Sequence, residues 1–173
     1  GIRDLIVTGV RTCALPILAI RDSILLKPGK LTPEEFEEMK MHTLFGEEVI
    51  ANLEQMAGQP TSFLSCAKEI AGSHHEKYDG SGYPRGLAGE AIPLAGRIMA
   101  IADVYDALIS KRVYKNSMTH DEAMRIMIEG KGTHFDPILI EAFLQVEPHF
   151  SRIAANNRSE EHTSELQSRS DLV

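Results

Sequence analysis

His74-His75-Glu76-Lys77-Tyr78-Asp79-Gly80-Ser81-Gly82-Tyr83-Pro84 divides the chain into two helical halves. Just before it, residues 62–73 read as a short helix with Phe63, Ala67, Ile70 and Ala71 facing inward. Within and after it, Gly80, Gly82, Pro84, Gly86 and Gly89 punctuate a loop. A longer helix then runs from Pro93 to about Ser110 and carries Leu94, Ile98, Ile101, Tyr105 and Leu108. Further upstream, Thr32-Pro33-Glu34-Glu35 is a capping box with proline at the first helical position. Phe36, Met39, Leu44, Phe45, Val49, Ile50, Leu53 and Met56 follow at spacings of about three and four, an amphipathic stripe. Downstream, Thr119-His120-Asp121-Glu122 is a second capping box, opening a helix that ends at Gly130. Asp136-Pro137 caps a last helix with Ile140, Phe143 and Leu144. No strand alternation and no repeat interrupts this series. The expected class is all-α, a globular helical bundle.

The chain has 173 residues, enough for one domain with tails. Apolar residues make up 43% and charged residues 25%, a composition that can bury a core. With 18 basic and 25 acidic side chains the net charge is −7, which leaves no cation excess to neutralise a duplex. A small molecule bearing phosphates remains compatible, since a few placed cations can hold it. Cys13 and Cys66 make neither a disulfide framework nor a zinc cluster, and point to a reducing, cytoplasmic setting. No run reaches the roughly 18 apolar residues of a membrane span. Residues 5–20 are interrupted by Arg11 and Pro16 and fit a signal sequence poorly. Residues 1–19 and 158–173 resemble translated sequencing-adapter read-through. Residues 1–19 are therefore read as a foreign segment, 20–150 as the domain, and 151–173 as a tail, artefactual from about 158.

Chemistry concentrates in four places. Paired imidazoles at a helix end, followed by acids and a glycine-rich turn, suit a metal site for Fe, Mn, Zn or Cu. Neighbours on a helix point about 100° apart, so His74 and His75 are expected to serve two metals rather than chelate one. A histidine pair by itself is more often a surface feature. His42 by itself is more often a helix-boundary residue. Asp103 sits between Ile101 and Tyr105 in an apolar helix, where a carboxylate needs a partner or a metal. Asp106, three residues on, is expected to orient ligands from a second shell, unless both acids are merely solvated. Lys111-Arg112-Val113-Tyr114-Lys115 follows that helix, where its C-terminal dipole alone favours cations. Arg112 and Lys115 could equally hold a phosphodiester.

Together these residues resemble the HD-GYP family, a branch of the HD-superfamily metal-dependent phosphohydrolases. The resemblance rests on His42, on His-His-Glu-x-x-Asp-Gly-x-Gly-Tyr-Pro at 74–84, on Ala-Asp-Val-Tyr-Asp-Ala-Leu at 102–108 and on Gly-Thr-His-Phe-Asp-Pro at 132–137. It covers residues 20–147. It implies a bacterial signalling hydrolase, a cyclic-di-GMP phosphodiesterase giving pGpG and in some members GMP. His42, His74, His75 and Asp103 match metal-ligand positions, and two or three Fe or Mn ions activate the attacking water. Gly82, Tyr83 and Pro84 match the loop that lines the substrate groove and is linked to diguanylate-cyclase (GGDEF) domains. Arg112 and Lys115 match substrate-phosphate positions. Glu76 and Asp79, within the signature, are expected beside Asp106 in the second shell.

One departure bears on activity. The family's His-Asp pair belongs shortly before residues 20–29, where Thr12-Cys13-Ala14-Leu15-Pro16-Ile17 stands instead. Asp22 is expected at a turn and does not replace it. The chain is thus read as the C-terminal portion of a catalytic domain that holds fewer metals than its parent, which would also carry an upstream sensory or receiver domain. Loss of the first helices is expected to bare apolar faces on the helices at 33–56 and 93–110. An inactive module that senses cyclic-di-GMP or docks a cyclase is the alternative reading.

Overall fold

A computed structural model describes residues 20–59, 61–110, 118–150 and 152. The proposed terminal segments, the 12–17 stretch and the cations Arg112 and Lys115 lie outside these. Two compact units divide the chain, Gly1–Ile140 and Glu141–Val173. In the first unit the elements are α1 (Asp22–Leu25), α2 (Pro33–Met56), α3 (Ser62–Ser73), a 3-10 turn (Gly89–Ala91), α4 (Leu94–Ile109) and α5 (His120–Glu129). Residues 137–140 add helical backbone, and in the second unit residues 141–150 are helical, with Phe143 buried and its ring 4.8 Å from that of Phe150. Among the described residues there is no strand, only two isolated bridges, Asp79 with Ala88 and Lys131 with Phe135. The all-α expectation stands.

Both capping boxes form. The Thr32 hydroxyl accepts from Glu35 N while the Glu35 carboxylate accepts from Thr32 N, and Thr119 and Glu122 repeat the arrangement at α5. Each satisfies two of the amide donors that a helix start leaves open. Asp136 Oδ1 accepts from Ile138 N at 2.8 Å and so starts the helix that follows. Asp22, expected at a turn, instead opens the one-turn helix α1, whose Ile24 packs with Ile20 and Met39.

The buried stripes differ from the apolar ones. On α2 the buried residues are Met39, His42, Thr43, Gly46 and Ile50, whereas Val49 and Leu53 are exposed and Met56 is 84% exposed. Spacings of three and four hold for the buried set too, and two of its members are polar. Phe63, expected inside, is 78% exposed; α3 buries Ala71 as expected, together with Gly72 and Ser73 at its C-terminal end. On α4, Ile101, Tyr105 and Leu108 are buried as expected, but Leu94 and Ile98 are exposed. A single chain shows its apolar positions but not which neighbour covers them. Leu144, on the last helix, is likewise exposed while Ile140 is fully buried.

Two small residues let α3 and α4 meet. A Cβ on Gly96 would come within 3.0 Å of Ser73 Cβ and overlap its hydroxyl. The Ser73 hydroxyl is turned back onto Glu69 O at 2.5 Å. This close approach brings the end of α3, where the histidines begin, against the helix that carries Asp103.

Candidate metal centre

His42, His74 and His75 converge: one ligand atom from each lies within 4.8 Å of the others. Their ring centroids are 5.5 Å (42 to 74), 5.1 Å (42 to 75) and 4.1 Å (74 to 75) apart. The first ring comes from the middle of α2. The second is the C-cap of α3, and the third is the first residue beyond it. His74 and His75 are neighbours at the end of α3, and their rings nevertheless lie side by side at a tilt of 40°. Imidazole–metal bonds of about 2.0–2.2 Å make a coordination shell roughly 4 Å across, so this cluster is about the size of one shell.

The backbone sets the tautomers of two rings. His42 Nδ1 lies 2.6 Å from Met39 O, and His74 Nδ1 lies 2.8 Å from Ile70 O and 3.2 Å from Ala71 O. A carbonyl can only accept, so each Nδ1 carries the proton and each Nε2 keeps its lone pair. This is the arrangement by which outer partners orient metal-binding histidines. Burial lowers the proton affinity of both rings, and for His42 it is partly offset by Met39 O and by the negative charge of Asp103, while His74 adds to it. His75 is pushed well below its ordinary value by burial and then by His74, His42 and His134. All three are therefore neutral near pH 7, the form that binds a metal. Asp103 is half-buried and acts on His42 through its charge, although it is not one of the group gathered within 4.8 Å.

The signature loop forms a wall beside the imidazoles. Tyr83 N donates to His75 O at 3.1 Å, and the Tyr83 ring lies 4.8 Å from His75 at a tilt of 32°. On its other flank are Phe36, edge-on at 5.9 Å, and Lys40, 5.8 Å from the Tyr83 centroid. Gly82 is required by contact: a Cβ there would sit 2.5 Å from Glu76 Cα. Pro84 follows a cis peptide bond.

The three acids expected behind the metal ligands are placed differently from one another. Glu76 is 2% exposed, and its two oxygens accept from Arg85 N (2.7 Å) and Leu87 N (3.0 Å), so it shapes the loop rather than an imidazole. Asp79 is exposed and caps the turn through Ser81 N at 2.8 Å. Asp106 accepts from Ser110 Oγ at 3.2 Å, and its other oxygen is buried without a hydrogen-bond partner. Of the three, only Asp79 is taken by a local turn amide, two residues on. The 132–137 motif serves as the base of the loop: Thr133 O and His134 O accept from Asp79 N and Tyr78 N. Burial, and then Lys77, lower His134 to about 4.

Sequence reading missed Arg85 and Glu47, whose side chains pair and whose partners lie 38 residues apart. No local pattern marks such a pair. It also missed the stripe formed by Phe36 and Lys40, although their spacing of four could have shown that both face the same way.

A family model described as HD domain matches residues 17–139. The chain belongs to the HD domain family. This family binds divalent metal, which the converged imidazoles fit. Among curated relatives, a cyclic di-GMP phosphodiesterase of Vibrio cholerae is 60% identical over 139 residues, 80% of this chain and 28% of its own length. The cyclic di-GMP phosphodiesterase response regulator RpfG of Xanthomonas campestris is 48% identical over 128 residues, 74% of this chain and 32% of its own. A 3'3'-cGAMP-specific phosphodiesterase of Vibrio cholerae is 45% identical over 139 residues, 80% and 26% respectively. These relatives agree with the HD-GYP branch read from the signature. The HD-family chain spans about a third or less of the length of each of them. Among its described residues no helix is long and apolar enough to cross a membrane.

Proposed function

We propose that this chain is part of a bacterial, cytoplasmic cyclic-di-GMP phosphodiesterase and holds Fe or Mn at His42, His74, His75 and Asp103. The observation that carries this reading is the convergence of three neutral imidazoles, two of which carry their proton on Nδ1 against a main-chain carbonyl. A bound ion of this kind supplies Lewis acidity toward a phosphodiester and toward water. The chain's own residues supply the rest. His42 and His74 present lone pairs without a proton to displace, and Asp103 contributes negative charge on the α4 side. Gly82, Tyr83 and Pro84 line the substrate wall, with the Tyr83 ring against His75. Arg112 and Lys115, after α4, are assigned to the phosphates. Glu76 and Asp79 keep the loop in shape, and Asp106 is assigned to orient groups on α4.

Cyclic-di-GMP is favoured as substrate because the more similar of the relatives named here carry that activity in their names. The same wall would also serve contact with diguanylate-cyclase domains, and upstream sensory or receiver regions are assigned to the parent protein. The test is elemental analysis of the purified chain after anaerobic loading with Fe(II) or Mn(II), followed by hydrolysis of cyclic-di-GMP and 3'3'-cGAMP side by side. At least one retained ion, lost on His42→Ala, is expected, with turnover of cyclic-di-GMP to pGpG where a full metal set assembles. Less than one ion per chain would overturn the metal assignment. Preference for 3'3'-cGAMP would overturn the substrate.

A further inference from the structure

The geometry points to a latch, built from Glu47, Arg85 and the missing side chain of Gly72, that positions Tyr83 of the signature loop over His75. Arg85 follows Pro84 in the loop, and its side chain reaches two helices. Nη2 pairs with the Glu47 carboxylate on α2, and Nη1 donates to Gly72 O on α3 at 3.1 Å. At the same residue the backbone N donates to Glu76. Arg85 is thereby held at both ends, while Tyr83, two residues before it, rests against His75.

Gly72 gives an independent sign that the pair is seated in a made-to-measure notch. A Cβ on Gly72 would lie 2.8 Å from Glu47 Oε2 and 3.2 Å from Arg85 Nη1. The pair therefore occupies the space that any other residue would fill. Glycine inside a helix is otherwise unfavourable compared with alanine. An isolated ion pair as exposed as this one holds little. Here the guanidinium also meets a carbonyl in the last turn of α3, where a cation is favoured by the helix dipole. It also joins the loop to two helices that each carry one of the imidazoles.

This inference rests on the proposed reading of Tyr83 as part of the substrate wall. In it Glu47 and Arg85 are positioning residues that touch no substrate. The experiment is hydrogen exchange by mass spectrometry across residues 76–89 of the full chain, for Arg85→Gln, Glu47→Gln, the double variant and Gly72→Ala. Exchange of the Tyr83, Arg85 and Leu87 amides is expected to quicken by about three- to tenfold in each, with the double variant no faster than Arg85→Gln. Exchange in α4 should not change. Gly72→Ala is the discriminating variant: its loop should loosen while its melting temperature holds or rises, because alanine favours the helix. A purely structural role would instead lower both together. In metal-loaded protein Arg85→Gln should raise KM for cyclic-di-GMP and spare kcat, with Arg85→Lys in between. Unchanged loop exchange in Arg85→Gln or Gly72→Ala overturns the latch, as does a loosened loop with unchanged KM. Failure of unsubstituted protein that retains a full metal set to hydrolyse cyclic-di-GMP would instead overturn the substrate reading and leave the exchange result to decide the latch.

Discussion

The two walls of the site are held by different means. The imidazole side is carried by helices, and main-chain carbonyls at Met39, Ile70 and Ala71 hold two of its rings. The loop side has little regular structure and is held by side chains: Glu76 under the turn, Arg85 across to Glu47, and the 133–134 backbone at its base. Histidine side chains on the first wall can be replaced without disturbing what orients them. On the second wall the orienting groups are themselves side chains, so single substitutions should remove shape as well as contacts.

The largest effect that follows is on the loop. Glu76→Ala removes a buried charged acceptor from two loop amides and should cost about 3–5 kcal/mol, read as a fall in chemical or thermal stability. Glu76→Gln, which keeps one acceptor, should cost less than half of that. If both variants melt like the parent, the loop is not held as described and the contrast between the walls fails.

Acid should act next. His134 is held at about 4 against an ordinary 6.5, so between these values the unfolded chain takes up a proton that the folded chain refuses. Stability from this group is therefore complete above pH 6.5 and falls as pH drops toward 4, by on the order of 3 kcal/mol. His42, His74 and His75 are shifted in the same direction and add to the loss of stability below pH 6.5. Melting temperature followed from pH 7.5 to 4 should fall more gently in His134→Gln than in the parent; parallel curves would show that the base of the loop does not hold His134 neutral.

On the helical wall, His42→Ala should leave the metal-free fold little changed but abolish stabilisation by Mn(II). At one hundred times its dissociation constant that stabilisation is about 2.7 kcal/mol. A thermal shift that survives His42→Ala would sharpen the comparison by moving the ligand set elsewhere. The smallest effect concerns the outer face of α2. Leu53→Lys replaces an exposed leucine and should change stability by less than about 0.5 kcal/mol. A loss of several kcal/mol would show that this face is covered in solution.

Legibility in the sequence followed the range of the interactions. Capping boxes at Thr32 and Thr119 and the helix ending at His74 could be read because each is decided within four residues. Burial could not be read as well. Phe63, Val49 and Leu53 carry the apolar pattern yet face outward, while His42, Thr43 and Gly46 occupy the inner stripe of α2. The histidines were identifiable as candidates by type and motif, but their convergence depends on α2 and α3 folding together. Glu76, expected behind the ligands, accepts from Arg85 N and Leu87 N, contacts nine and eleven residues away that the motif does not announce.

The sequence by itself determined the helices, their caps, the glycine-rich break between them and the histidines available for metal. These are local choices of backbone conformation and residue chemistry. Only the tertiary structure decided which stripe of each helix is buried, that three imidazoles from α2 and the end of α3 converge, and that Arg85 meets Glu47 through the gap at Gly72. Those outcomes depend on contacts between residues far apart in the chain, and no spacing along it encodes them.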